Sequence, residues 1–136
     1  MEKIGTHEIE LLIREISIRG SVDLYENDDG CMVVLSFGGQ KYEKTSMDYF
    51  DALQKVRRVI EKDEIFLQCN GARTDVYPSR MSRDMGLGLS AYVQTMGKKA
   101  ERKDLVSIFL PSTVECLGTV EEQEKYHIDW LGSFGK

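Results

Sequence analysis

Apolar and polar positions along the chain predict strands first. Ile9, Leu11 and Ile13 alternate as a strand requires, whereas Leu12, Ile16 and an N-cap at Thr6 would suit a helix. The alternation resumes at Ile16 and Ile18, which favours strand. Residues 21–25 continue it, and Glu26-Asn27-Asp28-Asp29-Gly30 reads as a turn, since Asn, Asp and Gly tolerate left-handed backbone. Residues 31–37 form a valine-rich apolar run typical of a buried strand. Gly38-Gly39-Gln40 turns it, and residues 41–44 run back.

A helix is predicted over residues 46–61. Ser46 can cap it, Asp48 and Asp51 suit its start, and Lys55, Arg57, Arg58 and Lys62 suit its later turns. Phe50, Leu53, Val56 and Ile60 recur at spacings of three or four, with Tyr49, Ala52 and Val59 widening the stripe. Arg57 alone breaks the stripe, and its stem is expected to snorkel. Residues 65–69 read as a strand closed by Asn70-Gly71. No period fits residues 72–88, where Pro78 forces Tyr77 into extended backbone. Residues 91–96 and 105–110 read as strands joined by a charged turn. Thr119-Val120-Glu121-Glu122 is a capping box opening a last helix, with Val120, His127, Trp130, Leu131 and Phe134 as its apolar stripe. The order predicts one α+β domain, a mainly antiparallel sheet with two main helices packed on one face.

Composition narrows the picture. The 136 residues are 41% hydrophobic and 30% charged, the profile of a globular domain. No run approaches the roughly 20 apolar residues of a membrane span, and no signal-peptide pattern opens the chain, so a cytoplasmic protein is expected. Cys31, Cys69 and Cys116 have no ligand spacing, so neither a disulfide framework nor a metal or cofactor is expected. Net charge is −5, unevenly spread: eight acids face three bases over residues 1–30, and seven bases face four acids over residues 65–110. An acidic protein suits a basic protein partner better than nucleic acid or membrane.

Two stretches could carry function. The first, 72–92, places Arg73, Arg80 and Arg83 near the Ser79 and Ser82 hydroxyls, with Tyr77 as an anchor. Those arginines could cradle an anion, which would make the protein an anion- or nucleotide-binding protein or an enzyme. Alternatively they tie the loop down by pairing with Asp75, Asp84 and backbone carbonyls. The second stretch is the acidic turn with Asp23, Tyr25, Glu26, Asp28 and Asp29, either a solvated tip or a patch that steers a basic partner. No catalytic triad, metal or P-loop signature is present, and no catalytic residue is assigned.

Val76-Tyr77-Pro78-Ser79, Met81-Ser82-Arg83-Asp84-Met85-Gly86, Gly88, Ala91-Tyr92, Gly97-Lys98, Asp104-Leu105-Val106, Ile108-Phe109 and Thr119-Val120-Glu121-Glu122-Gln123 together resemble a group of small uncharacterised bacterial proteins. The likeness spans residues 30–134, with Leu87 where a third glycine is expected after Met85-Gly86. Such proteins look like immunity proteins of contact-dependent inhibition or other polymorphic toxin systems. The resemblance implies binding and neutralising a cognate toxin domain, with a basic nuclease as the expected class, and no catalysis.

Overall fold

The computed structural model describes residues 1–134. Strands β1 (Glu2–Ile13) and β2 (Ile16–Asn27) form a long antiparallel hairpin, in register from Glu2↔Glu26 to Ile13↔Ile16 with one shift between Lys3 and Gly5. The strand reading of residues 9–18 holds, but a hairpin turn interrupts it. Arg14 and Glu15 make that turn, with φ of 48° and 71°. Two left-handed residues match the right-handed twist of the flanking strands, a geometry that favours Asn and Gly. Neither residue here signals it. Strands β3 (Gly30–Phe37) and β4 (Gln40–Ser46) extend the sheet, and β5 (Ile65–Leu67) pairs with the far side of β1, giving the order β4-β3-β2-β1-β5.

Helix α1 (Tyr49–Glu61) packs on this sheet. Its cap is Asp48 rather than Ser46: Asp48 is extended and accepts from the Asp51 amide at 2.8 Å. Ser46 ends β4 instead, and its hydroxyl donates to the Asp51 carboxylate. The remaining strands form a second, three-stranded antiparallel sheet in the order β6 (Val76–Tyr77), β7 (Ser90–Val93), β8 (Leu105–Ser107). The antiparallel α+β class is as expected, with the strands divided between two sheets. Between β6 and β7 lies α2 (Arg80–Gly86), in a stretch where the sequence shows no period. Helix α3 (Val120–Leu131) follows the expected Thr119 capping box, with both reciprocal bonds formed.

One core joins the two sheets. Leu11, Val22, Val33 and Leu35 from the first sheet cluster with Phe50, Leu53 and Val56 of α1 and with Ala91, Ile108 and Phe109 beyond it. Each of these side chains other than Ala91 stabilises the fold by roughly 1.5–3 kcal/mol on burial. Helix α1 is buried on two sides, which is why its stripe is so wide.

Arg57 does not snorkel. It is 1% exposed, and its guanidinium donates to the carbonyls of Gly71 and Gly118 and to Gln123 Oε1. Glu61 stands 3.4 Å from its Nε. Burial pushes the Glu61 carboxyl up and the Arg57 guanidinium down from their ordinary values. Gln123, fully buried on α3, donates in turn to the carbonyls of Gly71, Arg73 and Val76. The inner stripe of α3 therefore includes polar Gln123, whereas Leu131, expected there, is 54% exposed. These bonds fix the irregular backbone of residues 70–76 and 118 against the helices, because buried carbonyls must find donors.

Candidate binding surfaces

The arginine-rich stretch is mostly spoken for. Arg73 makes a bidentate pair with Asp75 at 2.8 and 2.9 Å, which holds its guanidinium above the ordinary value. Arg83 donates to Asp48 at 3.0 Å and sits over the rings of Phe50 and Tyr77, 5.3 and 5.4 Å from their centroids. Asp48 thus caps α1 and anchors α2 with one carboxylate. The Tyr77 hydroxyl donates to Glu124, and burial with that bond pushes its pKa up to about 12. Ser79 caps α2 by accepting from the Ser82 amide, and its hydroxyl donates to Ser82 Oγ. Leu87 ends the helix in left-handed backbone, with φ of 54°. Gly88 follows at φ +69°, where an added Cβ would stand 3.0 Å from Asp48 Oδ1 and 3.2 Å from the Phe50 backbone. The three-arginine cradle is not assembled. Arg73 and Arg83 tie the segment down, although Asp84, expected as one of their partners, is exposed and forms no ion pair among the described residues.

Arg80 is left over, and it faces a cleft that the sequence does not announce. The cleft lies between the start of α2, β7 and α3, has a volume of about 510 Å³, and is lined by Arg80, Tyr92, Lys99, His127, Trp130 and Phe134 among others. Beneath it runs an aromatic column. Tyr77 stacks on His127 with centroids 3.8 Å apart, His127 on Trp130 at 6.0 Å, and Phe134 meets Trp130 edge-on at 4.8 Å. The indole N–H donates to the carbonyls of Thr95 and Lys98, which fixes the ring. His127 Nδ1 bonds the side chain of Gln94, and burial lowers its pKa from the ordinary 6.5. Only the three-residue spacing of His127 and Trp130 on α3 hints at this site in the sequence.

The acidic hairpin divides its candidates over three sides. Residues alternate across a strand, so Asp23 and Tyr25 face away from the core while Glu26 faces the side of Leu24. Asp23 accepts from the Thr6 hydroxyl at 2.6 Å and pairs with Lys3 at 3.3 Å, which holds its carboxyl below the usual range. Glu26 accepts from the buried Tyr49 hydroxyl at 2.8 Å. Asp28 and Asp29 stand exposed at the tip. Asn27 Oδ1 braces that tip by accepting from the amides of Asp29 and Gly30 at 2.8 and 3.1 Å. Met47, 74% exposed, and Met1, 51% exposed, line a shallow depression beside it that also includes Asp29 and Lys55.

Burial pushes the Cys31 and Cys69 thiols up to about 11, so both stay protonated at neutral pH. His7 is on the ordered strand β1 and stacks on Phe109 at 5.3 Å. Among the described residues no three His, Cys, Asp or Glu side chains gather as metal ligands, and no helix is long and apolar enough to cross a membrane. The sequence matches no family model and no curated protein.

Proposed function

We propose that this chain is a binding protein of the immunity class, which neutralises a cognate toxin domain by covering it, and that the β2–β3 tip meets a basic face of that toxin. One observation carries the reading: the carboxylates of Asp28 and Asp29 are exposed on a turn braced by Asn27, directly beside exposed Met1 and Met47. A rigid charged tip next to flexible apolar side chains is a surface suited to protein capture, since charge steers encounter and methionine adapts to the partner. Tyr25, half-buried on the outer face, adds an aromatic contact. In this reading the toxin is a basic nuclease, the chain acts in the cytoplasm, and neither nucleic acid nor membrane is a direct partner.

Co-expression with a toxin encoded beside the gene tests the proposal. Wild-type protein should protect growth, and Asp28→Lys/Asp29→Lys should protect less, because like charges then face each other across the interface. The double variant should keep its stability within about 0.5 kcal/mol. Equal protection and equal affinity would move the interface away from this hairpin. Failure of the wild type to protect would overturn the immunity reading.

A further inference from the structure

We propose that the cleft between α2, β7 and α3 is a second binding site, built for a nucleoside monophosphate: a phosphate held by Arg80 and Lys99 and a base laid against its aromatic wall. The charge argument comes first. The chain carries 23 acids against 18 bases, yet among the described residues those lining this cleft include two cations and no carboxylate. Arg80 and Lys99 form no ion pair among the described residues, unlike Arg57, Arg73 and Arg83. Two unpaired cations on one concave surface make a local positive potential in an acidic protein, and an anion satisfies it.

The walls define the rest of the ligand. Tyr92 and Phe134, both half-buried, supply the aromatic surface against which a planar base packs, and Trp130, 8% exposed, backs that wall from behind. The volume of about 510 Å³ falls in the range of small-molecule sites, roughly 300–1,000 Å³. His127 supplies a directed polar group. The Gln94 side chain engages Nδ1, with its amide nitrogen at 3.0 Å and its oxygen at 3.2 Å, and leaves the ring Nε2 without a partner among the described residues. A sugar hydroxyl, which both donates and accepts, fits that nitrogen in either tautomer. The Tyr92 hydroxyl is a second polar group without a partner among the described residues. The scaffold is stiff, since the indole is fixed by two carbonyls and His127 by Tyr77 and Gln94. A rigid cleft loses little freedom on binding.

Trp130 is the only tryptophan, so fluorescence excited selectively in tryptophan, away from the six tyrosines, reports on this cleft. The full chain is titrated with AMP, GMP, CMP and UMP, with adenosine, with inorganic phosphate, and with a polyglutamate peptide. Saturable quenching by at least one monophosphate is expected, with adenosine and phosphate each binding about tenfold or more weakly. Arg80→Ala and Lys99→Ala should each weaken that binding about tenfold while leaving the far-ultraviolet circular dichroism unchanged. Arg58→Ala, remote from the cleft, should leave it intact. An NMR titration provides a second readout, in which the monophosphate should raise the pKa of His127. The proposal is overturned by an absence of saturable change through the millimolar range. Phosphate binding as tightly as the monophosphates would also overturn it, as would binding of polyglutamate alone or indifference to Arg80→Ala and Lys99→Ala.

Discussion

The hairpin tip and the α2–α3 cleft carry opposite charge and arise by opposite means. The tip is local: Asp28 and Asp29 alone join β2 to β3, and Asn27 braces the turn from its strand end. The cleft is assembled from α2, β7, the 94–100 connection and α3, held together from below by Arg57 and Gln123. The difference shows what makes a charge usable. Arg73 and Arg83 look as promising in sequence as Arg80, but Asp75, two residues on, occupies the first and the distant Asp48 the second; at the tip, Asp23 and Glu26 are likewise occupied while Asp28 and Asp29 are not. Occupancy, rather than residue type or local density, separates binding groups from ties.

The strongest way to break the comparison is to remove what holds the cleft up. Arg57→Ala strands the Gly118 carbonyl, removes one of the two donors to that of Gly71 and leaves Glu61 uncompensated, so a loss of about 3–5 kcal/mol is expected by chemical denaturation. Hydrogen exchange in that variant should rise most in β6 and α3, with the β1–β2 hairpin least affected. Equal loosening of both ends would show that the tip depends on the same support.

Arg83→Ala against Arg80→Ala sharpens the distinction between tie and free cation. The first loses the Asp48 bond and the ring contacts, and should cost about 1–3 kcal/mol. The second should stay within about 0.5 kcal/mol of wild type, measured by the same denaturation midpoint. Thr119→Ala, which opens the capping box of α3, should cost about 1 kcal/mol. An unchanged midpoint would mean that the box adds nothing to stability.

The smallest effect is in pH. Burial lowers the His127 pKa from 6.5, opposed by Glu124 and aided by Arg83. The unfolded chain then binds a proton that the folded one refuses, so this contribution is complete above the unfolded value and is lost as pH falls through the lower folded one. His127→Gln should flatten the fall in stability between about pH 7 and pH 5 relative to wild type. An identical slope in both proteins would show that the imidazole does not titrate differently on folding.

Sequence patterns found the elements whose cause is local. The Glu26–Gly30 turn, the valine-rich β3, the face of α1 and the Thr119 box all follow from neighbouring residues. What escaped was tertiary. Arg14 and Glu15 form the β1–β2 turn in left-handed backbone that their side chains do not advertise, and the pairing of two twelve-residue strands holds them there. Helix α2 has seven residues and none buried, so it leaves no apolar period to find. Gln123 breaks the stripe of α3 because its partners are carbonyls on a distant loop. Of the three candidate arginines in the 72–92 stretch, Arg80 alone forms no ion pair among the described residues. Lys99, His127 and Trp130 join it only because β7 and α3 come together.

The bond from Arg57 to Gln123 also orders events during synthesis. Sixty-six residues separate the two partners. At about 5–20 residues per second, α1 waits several seconds on the ribosome, longer still for Gln123 to clear the exit tunnel. Throughout that interval α1 carries a guanidinium destined for the interior, lacking both the glutamine amide and the Gly118 carbonyl that will receive it. Complete closure around it early would trap an ion short of acceptors, so the nascent chain should remain open on the side that α3 later covers. Helix α3, made well after α1, therefore acts as a latch. Ribosome-stalled chains ending before Gly118 should be cleaved readily by protease at α1, and chains with α3 outside the tunnel should resist.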